Sequence, residues 1–401
     1  MDIFVARQPI FLKNKSVAAY ELLFRDSMEN FMPANQDGDR ATSSILSRSF
    51  MNLGFDAVSG GKKVFINFTE NLLIKQIPTL FPPERAIIEI LEDVRPTPAV
   101  LEACRELKRK GYSLALDDFI FDMEMAPFFD IVDIIKIDFM GVPLETIKLK
   151  ISSIPRSIKL LAEKVETWEE FRAGIDMGFV LFQGYFFSKP EIIKGKELSA
   201  STTSLIQIVS EINKNDPDLD KIVSIVSKEV MISYKLLSLI NSAYFKRLVE
   251  ITSIRQALNY LGQVEFRRFI SVILMSNLAQ DSTMELAVLS CLRARFCELI
   301  AEQAGKRSQE AFTLGLFSLI DAMLGKTVED VMNLLPLSSD IKNALISNEG
   351  PLSEILSIAI EFEKGNFNKV EKLALELQIS YEEIPGIYKD SVAWADILSP
   401  F

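Results

Sequence analysis

From Val17 to Arg25 a largely apolar run carries its charges four apart, and a period of two puts Ala19, Glu21, Leu23 and Arg25 on one face and Tyr20, Leu22 and Phe24 on the other. That pattern predicts a strand. Short apolar runs at 64–68, 86–91, 113–117, 132–138, 157–162 and 180–184 predict more of them. Helical spacing intervenes at 41–53, where Ile45, Leu46, Phe50 and Leu53 precede Gly54, and at 98–110, which Pro98 opens and Gly111 stops. Such alternation predicts a parallel sheet, and the number of repeats predicts a closed (β/α) barrel.

Beyond Pro190 the strand pattern stops. Helical periods follow at 204–214, 219–229, 233–243, 254–261 (stopped by Gly262), 284–304, 310–324, 328–334, 352–364 and 368–376. The segment 191–201 is the expected linker. The chain therefore reads as α/β plus all-α, with domains at 1–195 and 196–401. A length of 401 residues suits two cores.

Composition narrows the chemistry. A net charge of −11 argues against a nucleic-acid or anionic-membrane binder. No apolar run is long enough to span a bilayer, and the first residues lack the form of a signal peptide, which predicts a cytoplasmic protein. Cys104, Cys291 and Cys297 are read as core thiols. The absence of histidine removes Ser-His triads and His-ligated metal sites. Any metal here must use oxygen ligands, which suits Mg²⁺, Mn²⁺ or Ca²⁺.

At the strand ends stand Glu21, Asn67, Glu89, Asp117, Asp118, Glu163 and Gln183. Lys136 and Asp138 share a face two residues apart. Clustered carboxylates form a hard-cation site, and two such ions suit in-line attack on a phosphodiester. Lys136 could stabilise phosphate charge, or act as a base if its pKa falls, and Arg25 could clamp a phosphate oxygen. The plainer alternative also stands. A carboxylate at a strand end is commonly a solvated loop residue or a helix cap, and Lys136 could simply neutralise Asp117 or Asp138.

The order of motifs adds to this. Arg7-Gln8-Pro9-Ile10-Phe11, Tyr20-Glu21-Leu22-Leu23-Phe24-Arg25, Ile66-Asn67, Glu89-Ile90-Leu91-Glu92 and Leu116-Asp117-Asp118-Phe119 come first. Ile135-Lys136-Ile137-Asp138, Ala162-Glu163-Lys164-Val165-Glu166-Thr167 and Gln183-Gly184-Tyr185-Phe186 follow. Over residues 1–190 the chain resembles EAL domains, the cyclic di-GMP phosphodiesterases. The resemblance implies a TIM-like barrel in which Glu21, Asn67, Glu89, Asp117, Asp118 and Glu163 surround Mg²⁺ or Mn²⁺. It also implies that Lys136 and Gln183 support the water and the metal shell, and that Glu92 holds the loop after the Asp pair. Arg25, Asp138 and Gln183 are the expected nucleotide contacts, and Glu21, Lys136 and Glu163 the catalytic residues of an active enzyme.

Four features depart from that family's pattern. Leu22 replaces its alanine, Lys164 replaces a glycine, and 120–129 contains no glycine. The Lys136–Glu163 interval is short, so the barrel is expected to be trimmed. A loop needing positive φ is not expected to use Ile120 or Phe121. The second half resembles HDOD domains through Tyr234–Phe245, Ile254–Gly262 and Phe312–Asp321, with Ser318-Leu319 where HD enzymes carry His-Asp. Asn241-Ser242 is read as a hydrogen-bonded helix contact rather than a ligand site. Arg267, Arg268, Arg293 and Arg295 are read as solvated helix faces. Together these features favour a bacterial regulator with a degenerate, non-catalytic barrel that binds cyclic di-GMP or a divalent cation. Its expected partners are signalling proteins met through the helical domain, with a homodimer left open. The alternative is an active metal-dependent cyclic di-GMP phosphodiesterase.

Overall fold

Eight strands close into a barrel in chain order: β1 (Phe4–Leu12), β2 (Val17–Arg25), β3 (Lys63–Phe68), β4 (Ala86–Ile90), β5 (Ser113–Leu116), β6 (Ile134–Asp138), β7 (Lys159–Glu163) and β8 (Leu181–Gln183). The computed structural model describes residues 4–25, 59, 61–189, 208, 211–212, 217–242, 245, 251–278, 284–335 and 337–396. The helix expected at 41–53 and the linker at 191–201 lie outside these residues. The chain divides into two compact units, Met1–Phe187 with Phe362–Asn368, and Ser188–Glu361 with Lys369–Phe401.

The sheet is not wholly parallel. Strands β2 to β8 run parallel, but β1 is antiparallel to both of its neighbours, β2 and β8. The expectation of a parallel sheet is corrected here, because β1 joins β2 by a tight hairpin rather than through a helix. Pro9, which has no N–H to give, sits just past the β8 ladder, which pairs only Ile10, Phe11 and Leu12. The barrel keeps all eight strands. What is trimmed is the β6–β7 crossover, whose helix Leu144–Lys150 has only seven residues.

Local signals set the helix ends. Thr97 caps Pro98–Arg109 by accepting from the Val100 N–H. Thr167 and Glu170 form a reciprocal capping box at the start of Trp168–Met177. The first cap sets the crossover from β4 to β5, and the second the crossover from β7 to β8.

The second unit is helical throughout the described residues, from Leu219–Lys228 to Ile384–Asp396. Gly262 stops its helix as expected: at φ 74° and ψ 169° its backbone is non-helical, and a second helix runs on from the kink to Leu278. The expected helix 310–324 is two, Ser308–Phe317 and Ile320–Leu324, parted at Ser318-Leu319. There the Ser318 hydroxyl accepts from Arg293 Nη1 at 3.2 Å and donates to the Gly315 carbonyl at 2.7 Å. Asn241 pairs both ways with the Ile251 backbone, donating at 2.8 Å and accepting at 3.0 Å.

Of the four arginines expected on solvated faces, Arg293 is buried and Arg267, Arg268 and Arg295 are half-buried. Arg268 and Arg295 both pair with Glu298, itself fully buried, with Arg295 at 2.6 Å. Burying that carboxylate is tolerable only with such partners. All three cysteines are buried thiols, and burial pushes those of Cys104 and Cys291 up to about 12, so neither offers a thiolate. No helix among the described residues is long and apolar enough to cross a membrane.

Candidate functional site

One apolar residue from each strand fills a layer across the barrel: Ile10, Ala19, Phe65, Ile87, Ala115, Ile134, Leu161 and Leu181, none more than 8% exposed. In a strand the side chain two residues on shares the face. Two residues nearer the mouth stand Gln8, Glu21, Asn67, Glu89, Asp117, Lys136, Glu163 and Gln183. The barrel thus has an apolar floor beneath a polar ring with one member from every strand. A cavity of about 920 Å³, lined by Lys108, Asp133 and Lys159 among others, opens on the far side of the floor, and no ring residue lines it.

Lys136 is the hub. Its ammonium, 1% exposed, lies 2.8 Å from Asp117, 2.8 Å from Glu163 and 3.6 Å from Glu21, and also contacts Glu89. Burial alone would lower its pKa, but Glu163, Glu21, Glu89 and Asp117 hold it well above the usual lysine value. A base role for Lys136 would need a lowered pKa, and these four carboxylates act in the opposite sense. Four carboxylates around one ammonium leave negative charge in excess. Burial is the main cause that pushes Glu163 up to about 8, with Asp117 and Glu21 adding to it against the attraction of Lys136. Burial likewise raises Glu89 well above the ordinary carboxylate range.

Gln183 Nε2 donates to Glu21 Oε2 at 2.6 Å and to Gln8 Oε1 at 3.0 Å, tying β8 to β2 and β1. Gln8 is the ring member that sequence reading missed, since Pro9 and the antiparallel course of β1 hid its strand. The turn after β8 is tight. A Cβ on Gly184, at φ 142°, would lie 2.1 Å from the Val165 carbonyl oxygen, and Val165 N donates to Gln183 O at 3.0 Å.

An outer tier lies beyond the ring. Asp118, at φ 40°, and Lys164, at φ 51°, both take left-handed backbone. Lys164 Nζ bonds Asp138 Oδ2 at 2.5 Å and lies 3.8 Å from Asp118 Oδ1. Asp138 Oδ1 also accepts from Met140 N at 2.7 Å. Against the opposing effect of burial, the Lys164 bond and the Gly141 and Met140 amides lower the Asp138 pKa. Asp138 is thus taken up by protein partners. Arg25 pairs with Phe4 at the end of β2, but its side chain lies outside the described residues.

The loop after the Asp pair also corrects an expectation. Phe121 adopts φ 64°, the conformation a side chain was not expected to take there. Left-handed backbone costs a side-chain-bearing residue about 1–2 kcal/mol. Burial of the Phe121 ring, packed 5.3 Å from Phe119, offsets this, since a buried phenylalanine contributes about 1.5–3 kcal/mol. Glu92 is exposed and does not hold the loop. Arg95 reaches it instead, 3.4 Å from Asp122.

Buried acceptors without donors test whether a cation fits. Among the described residues Asn67 Oδ1, Asp118 Oδ1, Glu163 Oε2 and Gln183 Oε1 are buried with no hydrogen-bond partner. One oxygen each of Asp117, Asp118 and Glu163 lies within 4.8 Å of the others. Oxygen donors carrying surplus negative charge match a hard divalent cation.

Barrel and helical unit agree with the comparisons. Residues 198–340 match the family model for the HDOD domain. Chain-long identity, in the values that follow, shows that the protein belongs to the EAL–HDOD family. It is 38% identical to cyclic di-GMP phosphodiesterase CdgJ of Vibrio cholerae, over 98% of this chain and 92% of that one. It is 36% identical to the uncharacterized protein YuxH of Bacillus subtilis, over 98% of each. It is also similar to the solved structure of the Bacillus subtilis YkuI protein with an EAL domain, in complex with cyclic di-GMP and calcium. That match has 17% identity and a TM-score of 0.38, over 57% of this chain and 72% of that one.

Proposed function

We propose that the protein is a divalent-metal-dependent phosphodiesterase that opens cyclic di-GMP to the linear dinucleotide. The observation that carries this is the polar ring. Four carboxylates converge on one lysine, with Asn67 and Gln183 in the same ring and acceptors left over, an arrangement a solvated set of loop residues would not make. Kinship over the whole chain with a protein named for this activity supports it.

In this reading Glu21, Asn67, Glu89 and Asp117 hold Mg²⁺ or Mn²⁺, with Asp118 and Glu163 beside them. A bound ion supplies positive charge to the phosphodiester oxygens and the attacking water. Lys136 stays protonated and fixes the carboxylates in place. Glu163 Oε2, which has no donor, is the atom positioned to take a proton from that water. Gln183 orients Glu21.

Incubating the full chain with Mn²⁺ and cyclic di-GMP, then separating products by chromatography, tests this. Linear dinucleotide is expected, and Glu21→Gln should lower its rate by at least about 100-fold, since ligand loss exceeds the roughly 10–100-fold cost of losing an outer partner. Absence of turnover by the unaltered protein, with binding retained, would replace this reading with a non-catalytic cyclic di-GMP receptor.

A further inference from the structure

The carboxylates at the mouth fall into two tiers, each with its own ammonium. In the inner tier Glu21, Glu89, Asp117 and Glu163 surround Lys136. In the outer tier Asp118 and Asp138 face Lys164. The tiers meet where Asp117, Asp118 and Glu163 approach one another, the place where an outer divalent ion would be gripped. Lys164 is the residue directly after Glu163, and its ammonium lies 3.8 Å from Asp118, a member of that cluster, and 2.5 Å from Asp138.

Two structural choices bring it there. Lys164 and Asp118 both hold left-handed backbone, at the ends of β7 and β5, and so turn toward Asp138 at the end of β6. Strained backbone at adjacent strand ends persists when the surroundings over-determine it. Here the 2.5 Å bond to Asp138, itself anchored by the Met140 amide, is that surrounding. The inner tier differs in its balance: it has four carboxylates for one ammonium, where the outer tier has two, Asp118 and Asp138, for Lys164.

We propose that Lys164 is the resident cation of the outer tier, so that the mouth takes one divalent ion, on the inner ligands, and the lysine stands in for a second. A divalent ion at Asp118 would be repelled by an ammonium a few ångströms away, in a partly buried setting where such repulsion is weakly screened. The inference rests on the ion-binding half of the proposed function and adds a stoichiometry to it.

Chelator-stripped full-length protein titrated with Mn²⁺ tests it, with uptake measured by equilibrium dialysis and pairing by electron paramagnetic resonance. The unaltered chain should take one ion and give the spectrum of isolated Mn²⁺. Lys164→Gly, which also removes the backbone strain, and Lys164→Gln, which keeps the strain and removes only the charge, should each take two, with the spectrum of an exchange-coupled pair. Two coupled ions in the unaltered chain would overturn the inference, as would a single ion in either variant. If the unaltered chain takes no ion, the ion-binding reading itself fails and the inference falls with it.

Discussion

Glu163 carries the main chemical consequence at the residue scale. Its folded pKa, pushed up to about 8, lies above its ordinary value of 4.5. Without a metal the folded chain therefore holds a proton there, through the window from about 4.5 to about 8, that the unfolded chain has lost. The stability it contributes is full below that window and falls as pH rises through it. Glu89 and Asp118, also raised, act in the same sense. A divalent ion must displace these protons. Its affinity should rise with pH up to about 8, and binding near neutrality should release protons. Calorimetry in buffers of differing ionisation enthalpy measures this, and a heat that does not vary with the buffer would refute it. Most of the ring was legible in the sequence, because Glu21, Asn67, Glu89, Lys136 and Glu163 follow apolar strand residues at the spacing of two. Phe121 was not. A rule of backbone preference forbade its conformation, and the burial of its ring overrode the rule.

The loops after the strands transmit position to the ring. Gly184 touches the Val165 backbone so closely that no side chain fits without displacing it. Val165 lies two residues past Glu163, and its N–H bonds the Gln183 carbonyl. Gly184→Ala should therefore weaken Mn²⁺ binding by about tenfold or more, in keeping with the cost of losing an outer partner. It should also destabilise the barrel by more than about 1 kcal/mol. Dialysis and denaturant unfolding measure the two effects, and unchanged affinity would show that the turn does not position Glu163. The elements that escaped sequence reading did so for physical reasons. β1 contains Pro9 and pairs antiparallel, outside the strand–helix rhythm. The break at Ser318-Leu319 contains neither proline nor glycine, and its bonds to Arg293 and Gly315 are tertiary and local contacts that periodicity cannot reveal.

At the scale of the whole molecule, every described ion-binding candidate belongs to the first unit. The helical unit has no histidine and offers no such cluster among its described residues. A ligand stabilises only what it binds. Thermal unfolding of the intact chain is expected to show two transitions, of which Mn²⁺ raises only one. A uniform shift of both, or a single transition, would mean that the units unfold as one. The helical unit's buried Arg268–Glu298–Arg295 group then serves its own fold rather than metal chemistry.

The apolar floor has one more consequence. Because all eight strands seal the barrel beneath the ring, whatever enters has no second way out. On the proposed function, a dinucleotide opened at the mouth would have to back out through the same doorway by which the next one arrives. The product would then compete with its own precursor, and the rate at which the linear form is cleared would help set how fast this barrel could answer a signal.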